Sequence, residues 1–132
     1  MKSAQGISRI RVKRAYEKAD PSDGYRVLVD RLWPRGVRKE NLRLDEWAKE
    51  IAPSTDLRKW FGHDPTRWEE FCRRYRDELA SPERREIMER LAQLSRQGPV
   101  TLVYGAKDEE HNNAVVIQDM LGEMVSEVRQ AA

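Results

Sequence analysis

An apolar strand segment in the first quarter of the chain runs directly into charged side chains. The stretch VLVDRLWPRG, residues 27–36, places Asp30, Arg31 and Arg35 after three apolar residues. Guanidinium groups are forked hydrogen-bond donors that suit a phosphate or a carboxylate, and an aspartate beside a substrate can accept and release a proton. The spacing therefore indicates an anion-binding site in which Asp30 is a candidate proton carrier.

A second apolar segment, VTLVY at residues 100–104, runs into the polar stretch GAKDEEHNN. Lys107 brings a positive charge to this stretch, and Asp108 is a second candidate proton carrier. Asn112 and Asn113 follow at the start of a helix, whose free N–H groups also favour an anion. Ligands bind beyond the carboxyl ends of the strands in open α/β sheets. Two parallel neighbouring segments would therefore bring both polar stretches to one rim.

Each of these residues also has a purely structural interpretation. Asp30 and Arg31 can pair with each other or with partners across the sheet, which would only fix the loop. Trp33 can cover the core as an apolar plug. Asp108 and Asn112 can cap the last helix. The argument for a site therefore depends on the convergence of the whole set rather than on any one residue.

A loop histidine and the single cysteine are the remaining candidates for chemistry. His63 lies in FGHDP between two helices, where it is either a general acid or base or a hydrogen-bond partner of the Asp64 cap. Cys72 lies on the apolar stripe of a helix, so we expect a buried and unreactive thiol. Two distant histidines without cysteine partners predict no metal site. The chain has no GxGxxG or Walker motif, and no cofactor is predicted.

The elements that must position these residues alternate between strands and helices. Residue patterns predict strands at residues 9–13, 25–32 and 100–104. Helical spacing and caps predict a short helix at residues 44–51, three helices between residues 54 and 97, and a last helix that begins at residues 108–112. The stretch PRGVRKEN between them is expected to be a basic loop.

This alternation predicts an α/β fold in a single domain over residues 1–132. The expected architecture is a small, mostly parallel sheet covered by helices, three-layered and Rossmann-like. Leu32 and Trp33 are expected to anchor their loop on the core. The link between the first two strands leaves their relative direction open, because a parallel crossover usually needs a dozen or more residues.

The charge of the chain is distributed unevenly. Charged residues make up 36% of the sequence, and residues 1–43 hold twelve Lys and Arg against five Asp and Glu, whereas the rest holds thirteen against eighteen. A basic first third indicates an anionic partner, either a phosphate-bearing small molecule or nucleic acid, unless these charges only solvate the surface. In a nucleic-acid-binding module, Arg35, Arg38, Lys39 and Arg43 would contact phosphates and Trp33 would stack on a base.

A third interpretation is an interaction protein without catalysis, in which Trp47, Trp60 or Trp68 lines a partner surface. Helical spacing places most of these tryptophans in the core instead. The chain has no apolar run of membrane-spanning length, no apolar signal-peptide core and one cysteine. These features favour a cytoplasmic protein without a membrane partner. The oligomeric state is not predicted.

Four separated motifs resemble one known family. The stretches LVDRLWPRG, APSTDLRKWFGHDPTRW, YRDEL and VTLVYGAKDEEHNNAVV are similar, in order, to the YeaO-like family, a bacterial group catalogued as domain of unknown function 488. The resemblance spans nearly the whole chain from about Ile7, and it implies a single α/β domain but no activity. It adds Arg58 to the basic candidates. A branch of the family carries a Cys-His-Arg run where this chain has Asn112 and Asn113, so thiol chemistry does not transfer.

These observations predict a basic pocket at the strand ends that binds a small anionic, phosphate-bearing ligand, with enzymatic activity left open and nucleic-acid binding as the alternative. The candidate catalytic residues are Asp30, His63 and Asp108. The candidate ligand-binding residues are Arg31, Trp33, Arg35, Arg58, Lys107, Asn112 and Asn113. The stretches DRLWPRG, AKD and FGHDP are expected to share this one pocket.

Overall fold

The computed structural model describes the backbone of residues 9–131 and the side chains of residues 9–126. The strands are β1 (Ile10–Arg14), β2 (Tyr25–Leu28), β3 (Glu46–Trp47) and β4 (Val100–Tyr104). The α-helices are α1 (Lys39–Leu42), α2 (Thr55–Phe61), α3 (Trp68–Leu79), α4 (Pro82–Gln97) and α5 (Asn113–Ala131). Single turns of 3-10 helix lie at Pro21–Asp23, Lys49–Ile51 and Pro65–Arg67.

The four strands form one parallel sheet in the order β1–β4–β2–β3. Val100, at the start of β4, pairs with Ile10 on one side and with Tyr25 on the other. The prediction of a small α/β fold is confirmed, and the open question of direction is settled because β1 and β2 both run parallel to β4. All strands therefore end at one edge of the sheet.

The two faces of this sheet are covered by different parts of the chain. On one face, Val27 and Leu102 belong to an apolar core with side chains of α2, α3, α4 and α5. On the other face, Leu28 and Val103 pack with Leu42 of α1 and with the surrounding segment of residues 33–47. The chain thus leaves β2 over one face and leaves β4 over the opposite face, which opens a crevice between the two strand ends.

Two predicted elements differ from the structure. The strand predicted to reach residue 32 ends at Leu28, although the backbone N–H of Val29 still donates to the carbonyl of Val103 at 3.0 Å. The helix predicted at residues 44–51 is wrong, because this segment holds β3 and a 3-10 turn. Backbone hydrogen bonds from Asp45 to Arg26 and from Ala48 to Leu28 draw it onto the sheet edge. Pairing with β2 thus outweighs the local helical spacing.

The predicted helix boundaries around α2 agree with the structure. The side chain of Ser54 accepts the backbone N–H of Leu57, and Gly62 ends the helix in the left-handed region with φ of 54°. Asp64 caps the next element as expected, but that element begins as a 3-10 turn before continuing as α3. The predicted basic loop at residues 34–41 contains the start of the single-turn helix α1.

Cys72 lies on α3 and is half-buried rather than fully buried. Burial raises the pKa of its thiol above the ordinary value. The thiol is therefore protonated at neutral pH, which agrees with an unreactive side chain.

A buried ion pair that the sequence does not predict links β2 to α1 on one face of the sheet. Asp23 and Arg26 have side chains 5% exposed, with 2.6 Å between Arg26 Nη1 and Asp23 Oδ2. Arg26 also donates from Nε and Nη2 to the carbonyl of Leu42, and Lys13 donates to both oxygens of Asp23. Burial alone would raise the pKa of Asp23, but these hydrogen bonds and one to the backbone of Asp20 lower it below the ordinary value.

We expect Asp23→Asn to lower the free energy of unfolding at pH 7 by about 3 kcal/mol, because it leaves the Arg26 charge buried without its partner. Urea unfolding measures the change, with Asp119→Asn on the exposed side of α5 as the matched control.

A carboxyl whose pKa is lowered by folding stabilises the protein above its unfolded pKa of about 3.9. The difference between wild type and variant should therefore begin to shrink near that value and disappear only when the pH falls below the lower pKa of Asp23 in the folded state. An equal loss in the control would contradict the assignment.

Candidate functional site

A cleft of about 460 Å³ lies at the carboxyl edge of the sheet, between the chain that follows β2 and the start of α5. It is lined by residues from the ends of three strands and from the end of α2. The lining residues are Tyr16, Asp30, Arg31, Leu32, Trp33, Pro34, Arg35, Ala52, Pro53, Arg58, Phe61, His63, Phe71, Gly105, Ala106, His111, Asn112 and Asn113. The structure therefore brings the predicted stretches after β2 and after α2 together with Gly105 and Ala106.

Three arginines give the cleft a positive charge. Arg35 and Arg58 are exposed, whereas Arg31 is half-buried. Arg31 Nη2 donates to the carbonyl of Pro53 at 3.4 Å, a long hydrogen bond. Its Nε is buried and has no hydrogen-bond partner among the described residues. A buried donor without a partner costs about 1–3 kcal/mol, and more in a charged group, so the unpaired Nε of Arg31, a residue of the cleft lining, is unfavourable as it stands.

Asp30 joins the ends of the two central strands. Its Oδ2 accepts the backbone N–H of Gly105 at 2.8 Å, and its own carbonyl accepts the indole N–H of Trp47. Burial raises the pKa of the Asp30 carboxyl, although the Gly105 hydrogen bond, Asn113 and the nearby His63 and Arg58 lower it in part. Raised carboxyl pKa values in a cleft are a feature of functional sites.

Gly105 allows this close approach of the chain to Asp30. A Cβ atom at this position would lie 3.2 Å from Asp30 Oδ2, closer than ordinary van der Waals contact. A larger residue would therefore press on the carboxylate that receives its amide hydrogen. Close packing against Asp30 thus explains why a glycine follows β4.

Two histidines border the cleft from different elements. His63 is exposed and follows Gly62 with a φ of +58°, a left-handed conformation that is uncommon outside glycine. The ring of His111 lies edge-on to Trp68, with centroids 5.2 Å apart. Its Nδ1 lies 2.9 Å from Asp108 Oδ2, so the carboxylate orients the imidazole.

Asn112 and Asn113 fix the start of α5 against the sheet. Asn112 is 3% exposed, donates to the carbonyl of Asp108 and accepts the backbone N–H of Val115. Asn113 donates to the carbonyl of Val29 at 2.9 Å and so ties α5 to the end of β2. Both amides therefore have structural partners as well as a place in the lining of the cleft.

Lys107 and Asp108, which the sequence predicts on the rim, are not among the residues that line the cleft. Lys107 is exposed. Asp108 accepts the backbone N–H groups of Glu110 and His111, and these hydrogen bonds hold the turn before α5. The hydrogen bonds from Glu110 and His111 lower the pKa of Asp108, which keeps it ionised in this structural role. Its contribution to the site is limited to orienting His111.

The loop after Asp30 is anchored differently from the prediction. Trp33 packs edge-on against Trp47, and its indole N–H donates to the carbonyl of Val37 at 2.7 Å. Leu32 was expected to help anchor the loop, but it is 63% exposed on the wall of the cleft. The structural interpretation of Trp33 is supported by these contacts, and the anchoring role of Leu32 is wrong.

Comparisons with known proteins place the chain in a family. Residues 9–132 match the sequence model of the family described as the inactive DUF488-N3 subclade. The chain belongs to this family. This confirms the resemblance to the YeaO-like group of domain of unknown function 488.

Curated relatives of this DUF488-N3 protein come from several bacteria. The uncharacterized protein YeaO of Escherichia coli is 49% identical over 112 residues, which cover 85% of this chain and 96% of the relative. The uncharacterized protein Rv3073c of Mycobacterium tuberculosis is 41% identical over 114 residues, with 86% and 94% coverage. No solved structure matches the chain significantly.

Several residues of the cleft in this DUF488-N3 protein were not predicted as site residues. Tyr16 lies just after β1, and its hydroxyl donates to the carbonyl of Arg35 across the cleft. The rule about strand ends would have found it if the direction of β1 had been known. His111 belongs to the stretch GAKDEEHNN that the sequence places at the rim. Phe71 carries no signal beyond its helical spacing.

The described residues of this DUF488-N3 protein show neither a metal cluster nor a membrane span. No group of three His, Cys, Asp or Glu side chains among them is arranged to hold a metal ion. Within the same part of the chain, no helix has an apolar stretch long enough to cross a membrane.

We expect Asn112→Ala to lower the free energy of unfolding by about 1 kcal/mol or more, because it removes the buried side chain that caps α5. Lys107→Ala, five residues earlier and exposed, should change it by less than about 0.5 kcal/mol. Chemical denaturation of both variants tests this difference. If Asn112→Ala were as stable as the Lys107 variant, the capping role would be refuted.

Proposed function

We propose that the cleft at the strand ends binds a small anionic ligand. The observation that carries this proposal is the guanidinium of Arg31, whose buried Nε has no partner among the described residues. Buried donors are nearly always satisfied by protein, water or a ligand. An anion in the cleft would accept from the Arg31 guanidinium, and a turn of this side chain away from its long hydrogen bond to Pro53 would bring the buried Nε to the anion.

The charge of the lining favours the same class of ligand. Arg31, Arg35 and Arg58 face a single carboxylate, that of Asp30, among the described residues that line the cleft. Two of these arginines are on the loop after β2 and one is on α2, so donors reach the cleft from two directions. Convergent guanidinium groups bind carboxylate and phosphate by paired hydrogen bonds.

The size and the apolar walls of the cleft favour a small organic anion over a bare ion alone. A volume of about 460 Å³ lies within the range of small-molecule sites. Phe61, Phe71 and Pro53 supply apolar wall beside the arginines. An anionic group bound at Arg31 would leave room for an attached ring or chain against these side chains.

Binding without turnover is the form of the proposal that agrees with the family description. The matching family is described as an inactive subclade. Proton transfer by Asp30 and His63 stays a prediction, and both side chains line the cleft. The ligand-binding role of Arg31, Trp33, Arg35, Arg58, Asn112 and Asn113 is part of this proposal, whereas Lys107 lies outside it.

Nucleic-acid binding by the basic first third stays a prediction that no specific contact favours. Lys13 and Arg26 of this region are engaged by Asp23 inside the fold. Arg38 and Arg43 are exposed, but they do not line the cleft. The basic charge is therefore divided between internal ion pairs, the cleft and a separate surface.

Titration calorimetry with inorganic phosphate and phenyl phosphate tests the proposal. We expect one site for each probe at pH 5, where a phosphate monoester, with a second pKa of about 6, still carries a P–OH group as inorganic phosphate does. Phenyl phosphate should bind more tightly there because its ring contacts the apolar wall. Arg31→Gln should weaken both by at least about tenfold, because hydrogen bonds to charged groups contribute about 1.5–3 kcal/mol. Arg58 is exposed, so Arg58→Gln should leave the fold intact, and it should still weaken the binding of both probes because Arg58 lines the cleft.

Arg38→Gln is the matched control, since it removes an exposed arginine outside the cleft. Its affinity for both probes should stay within about twofold of the wild type. An absence of binding at millimolar concentrations of both probes would refute the proposal. Equal losses in the Arg38 and Arg58 variants would show non-specific charge attraction instead of a site.

A further inference from the structure

The cleft contains a carboxylate that is not neutralised by the arginines around it. Asp30 lines the cleft with Arg31, Arg35 and Arg58, yet it takes part in none of the ion pairs formed among the described residues. Its hydrogen-bonded partner is the neutral backbone amide of Gly105. An anion bound by the arginines would therefore lie beside a second negative group.

An ionised carboxylate accepts hydrogen bonds but cannot donate one. A carboxylate has about four lone-pair positions. The Gly105 amide occupies one of them at Oδ2, and the side chain of Asn113 is close enough to occupy another. The acceptor capacity that remains is available to a ligand in the cleft. A ligand that fits both Arg31 and Asp30 must carry negative oxygens and also a hydrogen to donate.

We infer that the cleft selects a protonated oxyanion, with phosphate as the representative, whose P–OH donates to Asp30 while its negative oxygens accept from Arg31. This inference rests on the proposed function and names its ligand class. Inorganic phosphate keeps at least one P–OH group at neutral pH, whereas sulfate has the same tetrahedral shape and no hydrogen. Sulfate beside an ionised Asp30 meets repulsion that no hydrogen bond offsets.

The groups around Asp30 define how this preference depends on pH. Asp30 is faced by Gly105 after β4, by Asn113 of α5, by Arg58 of α2 and by the neighbouring His63. Tyr75 of α3 also lies close to it. Burial raises the pKa of the carboxyl, so Asp30 takes up a proton, and can then donate to sulfate, at a higher pH than a solvent-exposed aspartate does. The preference for phosphate should therefore narrow as the pH falls and widen as it rises.

Calorimetric titration with inorganic phosphate and with sulfate at pH 8 tests the inference. We expect the wild type to bind phosphate at least about tenfold more tightly than sulfate, from one charge-assisted hydrogen bond. Asp30→Asn keeps an acceptor for the Gly105 amide and adds a donor for sulfate. This variant should bind sulfate at least about tenfold more tightly than the wild type, which brings the two anions to similar affinity.

Asp119→Asn makes the same chemical change on the exposed side of α5, outside the cleft, and should preserve the wild-type ratio. If Asp30→Asn does not fold, Asp30→Ser, whose hydroxyl can also donate to sulfate, takes its place at pH 8.

The outcomes separate this inference from the proposed function. Binding of phosphate and sulfate with equal affinity would overturn the inference and leave anion binding in place. A phosphate preference that persists in Asp30→Asn would also overturn it, because the selection would then come from another group. Failure of both anions to bind the wild type would refute the proposed function itself.

Discussion

The parallel pairing of β2 with β4 is the constraint on which the cleft depends. It brings the ends of two buried strands to the same edge of the sheet, where the Gly105 amide donates to Asp30. The chain then leaves β2 over the face packed with α1 and leaves β4 over the face packed with α5. This divergence leaves the cleft between the two strand ends, as expected at a point where neighbouring strands lead to opposite faces of a sheet.

Two polar side chains at this edge of the sheet are buried without enough hydrogen bonds or ion pairs to offset the loss of water. Asp30 has a raised pKa because burial opposes its charge, and the Nε of Arg31 is buried without a partner. Structural loops usually satisfy such groups, as Asn112 and Asn113 do at the start of α5. The contrast separates the residues that only hold the fold from those with unused hydrogen-bonding capacity. Asp30 and Arg31 are the residues with unused hydrogen-bonding capacity.

The strands β1, β2 and β4 and most helix boundaries follow from local signals in the sequence. The rule that ligands bind at strand ends brings the stretches after β2 and α2 together with Ala106. Helix caps such as Ser54 and the apolar runs at residues 27–29 and 100–104 depend on residues close to them in the sequence. The helix start and the strands that they produce can therefore be predicted. The segment of β3 could not be, because pairing with β2 decides it. For Asp108 the sequence leaves a place on the rim and a local structural role open, and its carboxylate accepts the N–H groups of Glu110 and His111 in the turn before α5. The buried pair of Asp23 and Arg26 likewise has no sequence pattern that distinguishes it from surface charge.

The most direct measurement of the central claim is an NMR spectrum of the arginine Nε–H groups, recorded with and without inorganic phosphate. The signal of Arg31 is assigned by its loss in Arg31→Lys, and that of Arg38 by its loss in Arg38→Lys. The account predicts that phosphate shifts the Arg31 signal in a saturable manner and leaves the Arg38 signal in place. An unchanged Arg31 signal, or an equal shift of both, would contradict the claim that Arg31 is the donor of an anion site.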